Sequence, residues 1–352
     1  MPERKRIKTR ERERTAVSLN PLTFGTSLEH AEEVRKTGDP GEYYKAILTA
    51  EEVLGLSVPP KQFLLRGLLE EGTINIVNGA RGIGKSWFVE AIANSVAAGL
   101  NFGPWVIQHT VNVMLIDGEM SLPLLKERLG LFGTEAKRLS KLYMYSEAYA
   151  YRIGLNRANL LDPEWRSSIS ANVHALDVKL LIIDNLSSLA PGIDENAKMD
   201  FDPINRWLLE LRFSGVTIVM THHTGKSGEQ RGTSAHEDHT DTALLLSKLK
   251  AHNKQGCHFE LRVTKDRSNI HPVDNLALSL VNKGDGEVEF IASAPTRLED
   301  AVTFLMKNPG ISYKDSAAFG FSRMSYYRAK EHIRKAGKIG VKLGEFEEGA
   351  KK

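Results

Sequence analysis

The sequence has a single cysteine, Cys257, among its 352 residues. One thiol excludes an intramolecular disulfide and any zinc site built on cysteine pairs. No apolar run approaches the roughly 18 residues that a membrane-spanning helix needs, and no apolar stretch follows the basic amino terminus as it would in a secretory signal. We therefore expect a cytoplasmic chain without a membrane partner.

The excess of positive charge is also small, +3 at pH 7, so net charge alone does not indicate a nucleic acid partner. Its distribution is more informative, because basic residues are concentrated at both ends of the chain. Residues 1–42 show no helical or strand periodicity, and we predict that they form a flexible basic segment.

From Thr73 onward, short apolar stretches alternate with longer helical ones. Strands are predicted at 73–79, 111–118, 142–148, 178–185 and 216–223, with helices between them. Near-continuous apolar strands separated by helices are typical of a parallel sheet covered on both faces. The Gly-Asp-Gly sequence at 284–286 indicates a hairpin, so the sheet is expected to end with antiparallel strands. The predicted fold class is α/β with a mainly parallel, twisted sheet.

A glycine-rich motif, G-x-x-x-x-G-K-S, stands between the first predicted strand and the helix that follows it. In this context, backbone amides and the helix N-terminus can bind phosphates. Lys85 can reach the β- and γ-phosphates, and the Ser86 hydroxyl can bind Mg²⁺. The sequence therefore predicts binding of ATP with Mg²⁺. The predicted nucleotide-binding residues are Gly79, Ala80, Arg81, Gly82, Ile83, Gly84, Lys85, Ser86 and Trp87.

Two later strands end in carboxylates. The strand at 178–185 places Asp184 after four apolar residues, where it can hold Mg²⁺ through water. The sequence LIDGEM places Glu119 at the end of the second strand, where its carboxylate can orient or deprotonate the attacking water. We assign Glu119 as the candidate base; the alternative is that it caps the helix that begins near Ser121.

The sequences LIDGEM and LLIIDNLSSLA resemble those of RecA-like P-loop ATPases. The histidine pair that ends the strand at 216–223, followed by a lysine and then by RGTS, is similar to the hexameric plasmid and phage replicative helicases of the RepA type. This resemblance implies that His223, with His222 beside it, senses the γ-phosphate. It also implies that Lys226 and Arg231 contact single-stranded DNA without reading its bases.

Two positions are candidates for a cation that acts in a neighbouring subunit's active site. Lys265 and Arg267 stand two residues apart at the end of a strand, so both can reach one target. In hexameric RecA-like helicases a Lys-x-Arg at this place is such a finger, and Arg231 is the alternative in the RepA type. Either assignment implies a homo-oligomer, expected to be a hexamer. The non-catalytic alternative is a charged strand edge.

The residues beyond Pro295 resemble a small helix-turn-helix or winged-helix module. Its last helix, 322–336, is predicted to pack through Met324, Tyr327 and Ile333. Four cations then remain for solvent or DNA phosphates, and duplex DNA is a candidate partner. The alternative is a packing or subunit-contact helix. The candidate DNA contacts are Arg323, Arg328, Lys330 and Arg334.

Together these features predict a RecA-like ATPase core at 43–294, a helical module at 295–345 and a tail at 346–352. The function we expect is a DNA-dependent ATPase, a ring-forming replicative-type helicase. A non-unwinding recombination mediator, a signalling ring and an ATP-switched DNA-binding regulator remain as alternatives. A metal site could also be drawn from His222, His223, His236, His239 and Asp241.

Overall fold

The structure is a computed structural model. Contacts divide the chain into two units, Met1–Pro60 and Lys61–Lys352. The domain boundaries near residues 43 and 295 stay predictions, and the flexible segment predicted at 1–42 lies outside the described residues. The described residues are 46–133, 139–192, 198–224, 239–249, 257–268, 270, 275–284, 286–293 and 298–336.

The described part of the first unit contains one short helix, α1 (Ala50–Gly55). The Thr49 hydroxyl accepts a hydrogen bond from the Glu52 amide at 3.2 Å, and the Glu52 carboxylate accepts one from the Thr49 amide at 2.6 Å. This capping box starts the helix at residue 50.

A small antiparallel sheet lies at the start of the second unit. It consists of β1 (Phe63–Arg66), β2 (Leu69–Glu70) and β4 (Val106–Ile107), in the order β2-β1-β4. The sequence did not predict it, because strands of two to four residues are too short to show a period of two.

The central sheet has nine strands in the order β12-β11-β10-β9-β3-β8-β7-β5-β6. The six strands from β9 to β6 in that order are parallel, and β10, β11 and β12 extend the sheet as antiparallel strands. The strand before the glycine-rich motif is central, which is the arrangement of a RecA-like core. The strands are β3 (Ile74–Gly79), β5 (Asn112–Asp117), β6 (Leu142–Ser146), β7 (Val178–Asp184), β8 (Thr217–His223), β9 (Thr242–Ser247), β10 (His258–Asp266), β11 (Asn275–Asn282) and β12 (Val288–Ser293).

Helices cover both faces of this sheet. Helix α2 begins at Lys85, the lysine of the glycine-rich motif, as predicted. None of the described helices is long and apolar enough to cross a membrane. The helices are α2 (Lys85–Ala98), α3 (Leu122–Leu131), α4 (Glu147–Arg152), α5 (Pro163–Ala175), α6 (Leu186–Leu189), α7 (Lys198–Phe213), α8 (Leu298–Lys307), α9 (Tyr313–Ala317) and α10 (Arg323–Ala336).

Alternate residues of the parallel strands supply two separate apolar cores. Val77 and Leu115 pack on the side of α2, while Ile76 and Ile116 pack on the side of α5 and α7. Each fully buried side chain of this size contributes about 2 kcal/mol. Because both faces are buried, the strands are apolar throughout, and polar residues are tolerated mainly where a strand ends.

The carboxyl-terminal helices share the α2-side core. Ala301, Phe304 and Leu305 of α8 are buried, and Phe321 stacks on Phe304 with ring centroids 4.4 Å apart. The hairpin predicted at 284–286 is also confirmed, since β11 and β12 pair in antiparallel register up to Asn282.

Candidate nucleotide-binding site

The glycine-rich motif forms the turn between β3 and α2. Gly82 has φ +73° and Gly84 has φ +113°, values that side chains other than glycine rarely adopt. Gly84 is the N-cap of α2, so the first amides of this helix face the turn. The turn therefore has the backbone shape and the helix N-terminus that phosphate binding requires.

The Lys85 ammonium group lies in this turn and points towards the carboxyl ends of β3 and β8. Its Nζ donates to the Gly79 carbonyl at 2.8 Å and to the Ala80 carbonyl at 3.1 Å, and it lies 2.8 Å from Nδ1 of His223. Burial lowers the pKa of Lys85 to about 8, although the Asp184 and Glu119 carboxylates oppose this change. A phosphate group would replace these partners and raise the pKa of the lysine.

Asp184 ends β7 beside this turn and is 4% exposed. Its carboxylate accepts a hydrogen bond from the Thr221 hydroxyl and is also hydrogen-bonded to Ser86. Burial raises the pKa of Asp184, and these two hydrogen bonds oppose the rise. A hydroxyl and a carboxylate are oxygen ligands of the kind Mg²⁺ prefers, so the residues present fit Mg²⁺ bound between Ser86 and Asp184.

A second buried carboxylate, Asp117, was missed as a site residue by sequence reasoning. It pairs in register with Asp184 on the neighbouring strand and is 1% exposed. Burial raises its pKa to about 6, opposed by hydrogen bonds that its carboxylate accepts from the amides of Met120 and Glu119. Asp117 therefore holds the loop from which the exposed Glu119 side chain extends.

The two histidines at the end of β8 face opposite sides of the sheet. His223 pairs in register with Gly79, on the side of the glycine-rich turn, whereas His222 pairs with the buried Asn78. The side-chain amide of Asn185, directly after β7, lies 3.4 Å from Nε2 of His223. His223 thus lies between Lys85 and Asn185.

A buried ion pair joins α2 to α3, the helix that follows Glu119. Arg128 Nη1 lies 3.2 Å from Oε1 of Glu90, and its guanidinium lies 4.4 Å from the ring centroid of Trp87. Burial raises the pKa of Glu90 to about 7, opposed mainly by Arg128. A single glutamate within the apolar part of α2 was the only sequence signal for this pair.

The glycine-rich turn lies at the carboxyl ends of the parallel strands. The predicted finger residues lie at the other end of these strands, near their amino ends. Because β10 is antiparallel to β9, its end at Asp266 lies beside the amino ends of β9 and β3. There the Arg267 guanidinium lies 3.5 Å from the Asp241 carboxylate. Arg267 therefore does not approach the glycine-rich turn of its own chain, and its role as a finger stays a prediction. Lys265, two residues before it, also lies at this end of β10.

Three of the other predicted site residues fall on a segment that the structure does not describe. Lys226, Arg231 and His236 lie outside the described residues. His223 lies at the carboxyl end of β8, whereas Asp241 precedes the amino end of β9, so the two lie at opposite ends of the parallel strands. Within the part of the chain that the structure describes, no group of three or more His, Cys, Asp or Glu side chains could hold a metal. The alternative metal site that combined these histidines with Asp241 was therefore wrong for its described members.

A family model described as an AAA domain matches residues 43–229, more than half of the chain. The chain belongs to this family. It carries a RecA-like ATPase domain, and family membership supports ATP hydrolysis. No curated protein sequence matches this AAA-domain chain.

Among solved structures, the AAA-domain chain is similar to a KaiC-like protein from Pyrococcus horikoshii, with 17% identity and a TM-score of 0.49. That match covers 65% of this chain and 93% of the other. The chain is also similar to the ATPase domain of G40P, with 14% identity and a TM-score of 0.46, over 71% of this chain and 99% of the other.

We predict that Gly84→Ala lowers the affinity of the AAA domain for ATP by about 10-fold or more. A Cβ at this position would overlap Sγ of Cys257, and the φ of +113° adds strain. Gly82→Ala is the matched control, because its Cβ would have no heavy atom within 4 Å. Titration of a fluorescent ATP analogue should therefore show a smaller loss for Gly82→Ala.

Combining Gly84→Ala with Cys257→Gly should restore part of the affinity, since it removes the overlap but not the strained φ. Equal affinities for the two single alanine variants would contradict the contact with Cys257.

Proposed function

We propose that this chain is a DNA-dependent ATPase, a ring-forming helicase of the replicative type from a plasmid, phage or other mobile element. The observation that carries the proposal is the contact between Lys85 and His223. His223 ends the strand that leads into the segment containing Lys226 and Arg231, the candidate DNA contacts. A change at the phosphate site therefore has a direct route to the DNA-binding segment.

In this proposal the backbone amides at the start of α2 and the Lys85 ammonium bind the β- and γ-phosphates of ATP. Ser86 and Asp184 would hold Mg²⁺, which neutralises phosphate charge when it is bound. Glu119 orients the attacking water and accepts its proton, while Asp117 holds the loop from which Glu119 extends. We propose water, rather than a second substrate, as the acceptor; the Glu119 side chain is exposed and therefore accessible to it.

His223 then reports the presence of the γ-phosphate. While Lys85 is bonded to Nδ1 of His223, the lysine is held away from a nucleotide. Binding of ATP draws Lys85 to the phosphates, and His223 loses that partner, while the Asn185 amide stays beside its Nε2. Hydrolysis and phosphate release reverse the exchange. Lys265 and Arg267, or Arg231, complete the site of a neighbouring subunit in a homo-oligomer, which we propose is a hexamer.

We expect single-stranded DNA to stimulate steady-state ATP hydrolysis by the full chain. Lys85→Ala should lower hydrolysis by about 100-fold or more, with or without DNA, because it removes the cation at the phosphates. His223→Ala should keep hydrolysis in the absence of DNA but lose the stimulation. His222→Gln is the matched control, since His222 faces the other side of the sheet.

Hydrolysis that is indifferent to DNA would overturn the helicase proposal and favour a non-unwinding ATPase, either a recombination mediator or a signalling ring. If DNA stimulates hydrolysis, a strand-displacement assay on a forked duplex then separates a helicase from a DNA-bound ATPase that does not unwind.

A further inference from the structure

Helix α10 exposes an unusual combination of side chains. Arg323, Met324, Tyr327 and Arg328 are all exposed, Met324 by 63% and Tyr327 by 48%. At 100° per residue these four positions, together with Arg334, lie on one face of the helix. The prediction that Met324 and Tyr327 pack inside the module was wrong, and the exposed face is therefore both basic and partly apolar.

The packing of α10 is carried by neighbouring residues instead. Tyr326, Ala329 and Ile333 are buried, and the Tyr326 hydroxyl donates to the Ile311 carbonyl at 2.8 Å. Because Tyr326 takes the inner position, the adjacent Tyr327 is turned outward, with the two rings nearly perpendicular at 88°. The exposed face thus belongs to a helix that is fixed in place by its opposite side.

The helices around this face have the connectivity of a helix-turn-helix. Ser312 caps α9, and Ser322 caps α10 by accepting the Ser325 amide at 3.0 Å. Between the two helices, Phe319 and Phe321 of the turn contact the Phe304 ring of α8. The turn is therefore anchored to α8, whose Phe304 belongs to the core.

The cations of α10 differ in their partners. Arg334, near the end of the helix, makes two hydrogen bonds of 2.8 Å to the Glu331 carboxylate. Arg323 instead lies over the Tyr327 ring, 6.0 Å from its centroid. Among the described residues, no carboxylate lies within ion-pair distance of Arg323 or Arg328. Among the described residues, positive charge without a carboxylate partner is therefore concentrated in the amino-terminal half of the helix.

We propose that the amino-terminal half of α10 binds the major groove of duplex DNA through Arg323, Tyr327 and Arg328. The major groove accommodates an α-helix, and in helix-turn-helix modules the first residues of the second helix reach the base edges. Two arginines supply the charge that phosphates and guanine edges attract, while exposed Met324 and Tyr327 provide apolar contact. This duplex site is separate from the proposed single-stranded DNA path and does not depend on motor activity.

The test measures binding of the full chain, without nucleotide, to a fluorescein-labelled 30-base-pair duplex by anisotropy over a series of salt concentrations. The double variant Arg323→Ala/Arg328→Ala should bind the duplex about 10-fold more weakly or worse, and its salt slope should fall by about 2. Tyr327→Ala should weaken binding with little change in salt slope. Arg206→Ala is the matched control, because Arg206 is an exposed arginine of α7, outside this helix.

Three results would overturn the proposal. Duplex affinity unchanged in the double variant would exclude α10 as the contact. An equal loss with the corresponding single strand would indicate phosphate binding without a groove. Loss of self-association at unchanged duplex affinity, measured by sedimentation, would assign the face to a second copy of the chain. All three substituted side chains are exposed. The variants should therefore unfold at the same temperature as the unsubstituted chain.

Discussion

Glu119→Gln is expected to lower the turnover number for ATP hydrolysis by about 10²- to 10⁴-fold, the contribution typical of a positioned general base. The amide keeps the size of the side chain but cannot accept the proton of the attacking water. Nucleotide affinity should change little, since Lys85, Ser86 and the amides of the glycine-rich turn remain. Single-turnover hydrolysis and titration of a nucleotide analogue measure the two quantities separately.

Asp117→Asn is the control that distinguishes the role of Asp117 from that of Glu119, the other carboxylate near the carboxyl end of β5. Asp117 is buried and its carboxylate accepts the amides of Glu119 and Met120. Its amide variant retains one acceptor oxygen, so we expect a smaller loss of turnover than in Glu119→Gln. The reverse order would identify Asp117 as the base and Glu119 as a surface residue of the loop.

The parts of the site that the sequence predicts well are those encoded over a few residues. The turn from Gly79 to Ser86 is a local motif. Its backbone needs positive φ values, which Gly82 and Gly84 adopt at +73° and +113°. Asp184 is likewise read from the four apolar residues before it. In both cases neighbours in sequence decide the conformation, and the structure places these residues as expected.

The parts that the sequence does not reveal depend on which strands and helices become neighbours. Asp117 and Asp184 are 67 positions apart and meet only because β5 pairs with β7. Strand β9 was not predicted, although its apolar residues are plain, because nothing local shows that it inserts beside β3. In α10 the pattern allows either Tyr326 or Tyr327 to face inward, and the contact with Ile311 decides it.

The ion pair between Glu90 and Arg128 leads to a second large effect, on the pH dependence of stability. Burial raises the folded-state pKa of Glu90 from 4.5 to about 7. A raised pKa means that the contribution of this group to stability is fully present below pH 4.5 and is lost as the pH rises through about 7. Glu90→Gln removes that loss. As the pH rises from 5 to 8, we therefore expect the free energy of unfolding of the variant to rise by about 2 kcal/mol relative to that of the unsubstituted chain.

Urea unfolding at pH 5, 6, 7 and 8 measures this change. Glu127→Gln, an exposed carboxylate in the same helix as Arg128, is the matched control and should leave the pH profile unchanged. Parallel profiles for Glu90→Gln and the unsubstituted chain would contradict a raised pKa at Glu90.

Arg128→Gln should lower the stability of the folded chain above pH 7, since it leaves the buried Glu90 carboxylate without its cation. Below pH 6 the variant should lose less stability, because Glu90 is then mostly protonated and only the contact of Arg128 with Trp87 is lost. With Gln at both positions this pair holds no buried charge, so the part of the pH 5 to 8 fall in stability that Glu90 causes should disappear, while the part caused by Asp117 remains. Any loss of turnover that persists in this double variant then measures how much the ion pair contributes to holding α3, and Glu119 before it, against α2.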